Sequence, residues 1–313
     1  MCPACVRRAA ARALLFAATI AGCASTSAQD AVPADHVYPG ARRFEFSGWP
    51  GPVIPVWTFR ASGAGTDAPV LIVMHGVNRD ADRYLSEWAP LAEAASAMLV
   101  VPEFSARDFP GSKSYNLGGV TEAERGRWTY SAIEPIFDAV VAREGLTARG
   151  YRIYGHSAGA QFVHRFVLLG AGARTERALA ANAGWYTFPT PGTRWPFGLG
   201  GLTGAPPPEP RYAAPLLLLL GDEDTDTADP NLSRSDGAMA QGPHRHARGL
   251  NFYAAARADA ANRGIPLRWS CRIAPGVPHS NALAARHAVT LLFGPVPAMG
   301  GDCAVLPPLP AGE

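Results

Sequence analysis

Tyr151-Arg152-Ile153-Tyr154-Gly155-His156-Ser157-Ala158-Gly159-Ala160 joins a short apolar run to an apolar helical pattern through the pentapeptide Gly155 to Gly159. The reading is strand, sharp turn, helix, with Ser157 on the turn. A serine held there sits on a strained backbone with its hydroxyl standing above the sheet, and small residues at 155 and 159 let strand and helix approach without a side-chain clash. Ser157 is therefore the candidate nucleophile. A Gly-x-Ser-x-Gly pentapeptide also arises by chance in a chain with 33 glycines, so its context has to decide. Tyr151 to Tyr154 suits a buried strand, and Phe162, Phe166 and Leu169 recur at helical spacing.

Outward from this stretch, apolar runs alternate with helical patterns. Pro69 to Met74, Met98 to Pro102 and Pro215 to Gly221 are continuous apolar runs, as strands buried on both faces require. Ala178 to Gly184 and Leu267 to Ile273 are further strand candidates. Arg43 to Ser47 and Val53 to Phe59 read as an antiparallel margin, Pro55 suggesting an edge. Helices are expected around Tyr84 to Ala92 with Asp80 or Asp82 as cap, from a capping box Ser131 to Glu134 up to about Glu144, from about Gly249 to Arg263, and from Asn281 to Phe293. Residues 103–127 read as a long polar loop, and Trp185 to Arg211 as an aperiodic loop that could form a lid or a substrate rim. The class is α/β, a mostly parallel, doubly wound sheet with flanking helices.

A chain of 313 residues, 48% of them apolar, can bury one large core and suits one catalytic domain with tails. The expected division is an export signal over 1–28, a tether over 29–42, the domain over 43–294 and a proline-rich tail over 295–313. The formal charge of +2 includes Arg7, Arg8 and Arg12 of the leader; without them it is −1, which gives nucleic acid no basis as a partner. The leader has arginines, an apolar core from Ala13 to Ala21 too short for a permanent membrane span, and small residues after it. Ile20-Ala21-Gly22-Cys23 looks like a lipobox, which implies lipidation of Cys23 and a periplasmic or cell-surface lipoprotein. Cleavage after Ala28 and secretion is the competing reading. Membrane contact is expected only through that anchor. The body then keeps Cys271 and Cys303, which in an oxidising compartment are expected to pair and tie the tail to the last strand.

A serine hydroxyl is a weak nucleophile at neutral pH and needs a base in contact with it, oriented in turn by a carboxylate. His279 follows the last long strand, and Gly221-Asp222-Glu223-Asp224 follows the leucine run. The order Ser157, acid, His279 is the one the α/β-hydrolase fold uses, and Asp224 stands at that fold's spacing after Gly221, ahead of Asp222 and Asp226. The oxyanion donors are then the backbone N–H groups of Ala158 and Val77. His75 and His156, beside these positions, are structural or substrate-facing. His244 and His246 look like two metal ligands but lack an evident third, so no metal is assigned.

With Met74-His75-Gly76-Val77, Gly155 to Gly159, Gly221 to Asp224 and Val277-Pro278-His279-Ser280 placed, residues 69–293 resemble serine esterases of the α/β-hydrolase group related to poly(3-hydroxybutyrate) depolymerases and feruloyl esterases. The resemblance implies hydrolysis of carboxyl esters, of hydroxyalkanoate oligomers or aromatic acids, through an acyl-enzyme and without a cofactor. It also implies that Trp185 lines the acyl site, with Tyr186, Trp195 and Phe197 extending that surface. Two readings compete: an amide or polyamide hydrolase of the same fold, and a surface lipoprotein that binds without turnover.

Overall fold

The apolar runs pair into a single sheet in the computed structural model, which describes residues 38–121 and 123–309. The expected signal, Cys23 and most of the tether lie outside these residues. The strands are β1 (Arg42–Phe46), β2 (Ile54–Arg60), β3 (Val70–Met74), β4 (Met98–Pro102), β5 (Tyr151–His156), β6 (Thr175–Ala181), β7 (Leu216–Gly221), β8 (Ser270–Ala274) and β9 (Ala304–Val305), in the spatial order β1-β2-β4-β3-β5-β6-β7-β8-β9. The pairs β1/β2 and β2/β4 are antiparallel and all others are parallel. The helices are α1 (Ala81–Ala94), α2 (Gly111–Ser114), α3 (Ile133–Glu144), α4 (Ala158–Leu168), α5 (Pro208–Ala213), α6 (Asp236–Met239), α7 (Arg245–Asn262) and α8 (Asn281–Phe293).

Period-two alternation divides each central strand between two apolar layers. Val70, Ile72 and Met74 of β3 and Leu216, Leu218 and Leu220 of β7 face the layer covered by α3, α4 and α7. Leu71, Val73, Leu217 and Leu219 face α1 and α8 on the other side. Each fully buried leucine or isoleucine contributes about 1.5–3 kcal/mol by leaving water, so the unbroken Leu216 to Leu220 run is a principal anchor of the sheet. The strand order reverses about β3: β4 lies on one side of it and β5 on the other. In open α/β sheets the crevice beyond the strand ends at such a reversal is where ligands bind.

Several local expectations are corrected. The capping box is not formed: Ser131 Oγ donates to the Arg125 carbonyl, while Glu134 accepts from Tyr151 and pairs with Arg174. The longer-range partners outcompete the local cap. Asp80 stands at the cap position of α1 but makes no capping bond; it pairs with Arg83 at 2.7 Å. Pro55 lies in β2, second from the edge, at a position beyond the β4 ladder, which starts at Val56. α7 begins one turn before the expected helix. Tyr38 of the expected tether packs edge-on against Phe59, and the proline-rich tail supplies β9 alongside β8.

Cys271 and Cys303 are disulfide-bonded and join buried β8 to the segment leading into β9. Because the bond closes a loop across 32 positions of sequence, replacing both cysteines by serine is expected to lower the unfolding free energy by roughly 2–4 kcal/mol. Urea unfolding with and without reductant checks this, and the double variant should not respond to reductant.

Candidate active site

Gly155 and Gly159 explain why the turn after β5 can be so sharp. A Cβ on Gly155 would lie 2.2 Å from the Gly159 carbonyl oxygen, and one on Gly159 only 2.0 Å from the Met74 carbonyl oxygen. No side chain fits either gap. Ser157 sits between them at φ 57° and ψ −115°, a region that residues other than glycine rarely adopt, and its N–H is tied to the Ala181 carbonyl at 3.0 Å. The strain fixes its hydroxyl above the C-terminal edge of the sheet, at the point where the strand order reverses.

The loops after β7 and β8 bring the partners. His279 Nε2 is 3.0 Å from Ser157 Oγ, and His279 Nδ1 is 2.8 Å from Asp224 Oδ2. A neutral His279 with its proton on Nδ1 donates to Asp224 and presents Nε2 as acceptor for the serine proton. Asp222 instead accepts from the Gly276 N–H, and exposed Asp226 accepts from the Ala228 N–H, so neither reaches His279. Asn182 links the two loops to the sheet: its Oδ1 accepts from Gly221 N–H at 2.7 Å and its Nδ2 contacts the Pro278 carbonyl at 3.4 Å.

Asp224 is itself almost wholly buried, and so is Arg245 beside it. Arg245 Nη1 lies 3.4 Å from Asp224 Oδ1 and 2.7 Å from Asp229 Oδ2. An isolated buried carboxylate would be costly, and this cation compensates it. The sequence carried no signal for Arg245 or Asp229, which are remote from the motif and meet only in the folded chain.

The loop after β3 is held by His75. Its Nδ1–H donates to the Gly76 carbonyl at 3.1 Å, its Nε2 accepts from Phe104 N–H at 3.0 Å, and Tyr115 Oη donates to the His75 carbonyl at 2.8 Å. These bonds fix the neutral tautomer and place Val77, 54% exposed, opposite Ser157. Ala158 opens α4, where a first-turn N–H has no partner within the helix. Val77 and Ala158 N–H groups are thus the donors available to an oxygen bound beside Ser157.

Two clefts meet at Ser157. One, of about 310 Å³, is lined by His156, His279, Tyr84 and Asn281; the other, of about 330 Å³, by Ala158, Trp185, Gln161 and Arg79. Val77 and Asn231 border both, and Asn231 had no sequence signal. Trp185 lines the second cleft, its ring 4.2 Å from the Arg165 guanidinium and 4.6 Å from the Phe197 ring. Trp195 packs on the core and borders neither cleft. Tyr186 corrects the expectation that it extends the substrate surface: it is fully buried and stacks on Phe252, with 4.6 Å between rings. Trp185 remains partly exposed at the cleft while Tyr186 next to it is packed into the core. His156 is mostly buried, its Nδ1 3.3 Å from Tyr84 Oη and its ring 4.6 Å from that of His279. His244 caps α7 by accepting from the Ala247 N–H, and His246 contacts the Gly221 carbonyl at 2.9 Å.

Burial pulls His75 down from its ordinary 6.5 to about 4, with Arg79 adding to the effect and the Gly76 carbonyl and Asp80 opposing it. Burial also lowers His156 and His164 well below the ordinary value. All three are neutral when folded and take up protons more readily when unfolded. Stability from this source is therefore complete above pH 6.5 and falls as the pH drops toward 4, by roughly 2–3 kcal/mol for His75 alone. Urea titrations between neutral and acid pH should show that decline, and His75→Gln should lessen it, the share of His156 and His164 remaining.

No family model and no curated protein sequence matches the chain. Among solved structures it is similar to poly(aspartic acid) hydrolase-1 from Sphingomonas sp. KT-1, at 40% identity and a TM-score of 0.78 over 82% of this chain and 100% of that one. It is also similar to LpqC, the poly(3-hydroxybutyrate) depolymerase from Bordetella parapertussis, at 34% identity and a TM-score of 0.76 over 83% of this chain and 93% of that one. The siderophore hydrolase EstB from Aspergillus nidulans shares the fold at 15% identity and a TM-score of 0.51, covering 85% of this chain and 99% of that one.

Proposed function

This chain belongs to the α/β-hydrolase family of the poly(aspartic acid) hydrolase and the poly(3-hydroxybutyrate) depolymerase, and we propose that it is a serine hydrolase of carboxyl esters that works through an acyl-enzyme. The observation that carries the proposal is the unbroken line from Ser157 Oγ through His279 to Asp224, at 3.0 and 2.8 Å. His279 Nε2 takes the serine proton as Oγ attacks the carbonyl carbon. The oxyanion forms against the N–H groups of Val77 and Ala158. Collapse breaks the bond to the leaving oxygen, which receives the proton from His279, and water then releases the acyl group by the same steps in reverse order.

The geometry also orders the clefts. His279 has to hand its proton to the departing atom, so the leaving group occupies the cleft that His279 lines and the acyl group the cleft beside Ala158 and Trp185. Oligomers of hydroxy acids suit two clefts meeting at one serine. The higher identity to a hydrolase of poly(aspartic acid) favours amide cleavage as a second reading, because attack and oxyanion stabilisation are common to both and only the leaving atom differs. The leader, with Cys23 after an apolar run, supports an exported and lipid-anchored protein.

Ser157→Ala is expected to retain the fold and lose at least ~10⁴-fold in kcat on p-nitrophenyl esters, and Asp224→Asn to lose a comparable factor. Steady-state kinetics beside circular dichroism checks both. Substantial turnover by folded Ser157→Ala would contradict the mechanism.

A further inference from the structure

The two clefts differ in charge. In the leaving-group cleft, Arg83 pairs with Asp80 at 2.7 Å and with Glu87 at 2.5 Å, so its charge is matched by carboxylates. Among the described residues, the acyl cleft is lined by Arg79 and by no carboxylate; the polar side chains around it, Ser112, Asn116, Gln161 and Asn231, are neutral. Arg79 is held by neutral groups alone. Its Nη1 donates to the Phe104 carbonyl at 2.7 Å, its Nη2 to the Gly111 carbonyl at 2.9 Å, and its guanidinium lies 4.2 Å from the centre of the Tyr115 ring. Among the described residues no carboxylate pairs with it, and these two bonds occupy two of a guanidinium's five N–H donors.

A second uncompensated cation stands one layer deeper. Arg165 is fully buried and donates through Nη1 to the carbonyls of Asn116 and Gln161, both residues of the acyl cleft. Its Nε donates to Thr187 Oγ1, its Nη2 has no partner among the described residues, and its plane lies against Trp185. Burial without a counter-ion lowers its pKa to about 10, which leaves it charged at neutral pH. A wall with one fixed guanidinium at the surface, another behind it and no acid among the described residues is unfavourable for a second cation and favourable for an anion.

We infer that the acyl cleft is a carboxylate subsite, in which Arg79 receives the free carboxylate of an acyl unit that carries a second acid group. The substrates it selects are esters or amides of dicarboxylic units. The planar fork of Arg79, already oriented by two carbonyls and an aromatic face, can meet a carboxylate without first being ordered. This subsite rests on the reading of Ser157 as the acylated residue and names the substrate class for that site.

The test compares p-nitrophenyl hydrogen adipate with p-nitrophenyl hexanoate, which share leaving group and acyl length and differ in the terminal carboxylate. For the wild-type protein kcat/KM is expected to favour the adipate by about tenfold or more at low salt, chiefly through KM, with the preference shrinking at high salt. Arg79→Met should bring the ratio to about one or below, and Arg79→Lys, which keeps the charge but not the fork, should retain part of it. Equal or better turnover of the hexanoate by the wild-type protein, or an unchanged ratio in folded Arg79→Met, overturns the subsite alone. Turnover of neither ester by the wild-type protein overturns the esterase reading and the subsite with it. The wild-type ratio decides even if the Arg79 variants fail to fold.

Discussion

The approach of Gly159 to the end of β3 is the constraint on which the site depends. With a gap of only 2.0 Å between a would-be Cβ and the Met74 carbonyl oxygen, α4 can start against β3 only if residue 159 has no side chain. That contact brings the turn after β5 beside the loop after β3, so Ser157 and Val77 face the same space although 80 positions separate them. Parallel pairing of β3 with β5, in register from Val70 opposite Tyr151 to Met74 opposite Gly155, carries the two strand ends to the same level. The strain at Ser157 persists because β5, β6 and α4 over-determine its backbone.

Around this contact, charge is distributed by burial rather than by surface pairing. Asp224 can be buried and still serve as partner to His279 because Arg245 and, through it, Asp229 lie behind it. His75, fully buried, stays neutral and becomes a strut of the loop rather than a proton carrier. Arg79 and Arg165 are stabilised by carbonyl oxygens and aromatic faces, which satisfy donors without cancelling charge. The result is one cleft beside His279 whose arginine is paired with carboxylates and one beside Trp185 whose arginine, among the described residues, is not.

Much of the frame was legible because each strand that ends at the site is a short apolar run followed by a polar or glycine-containing turn. That pattern located Ser157, Asp224 and His279 in sequence, and the folded chain brings the three into hydrogen-bond contact. Trp185 was expected from a resemblance, and it lines one of the two clefts that meet at Ser157. What the sequence could not convey depends on direction and on distance along the chain. Whether Tyr186 points with Trp185 or away from it is undecidable in a segment with no period. Arg245, Asp229 and Asn231 meet the site only through tertiary structure. Ser131 and Glu134 satisfy a local rule, yet Arg125, Tyr151 and Arg174 offered stronger partners. β9, two residues long, is too short for propensity to register and owes its place to the disulfide and to β8.

The central claim is that the strained turn presents Ser157 as the one activated nucleophile of the chain. Treating the folded wild-type protein with a fluorophosphonate and mapping the adduct by peptide mass spectrometry tests it most directly. One adduct per chain, on the peptide that carries Ser157, is the expected result. An adduct on another residue, or none on protein shown to be folded, would contradict the account.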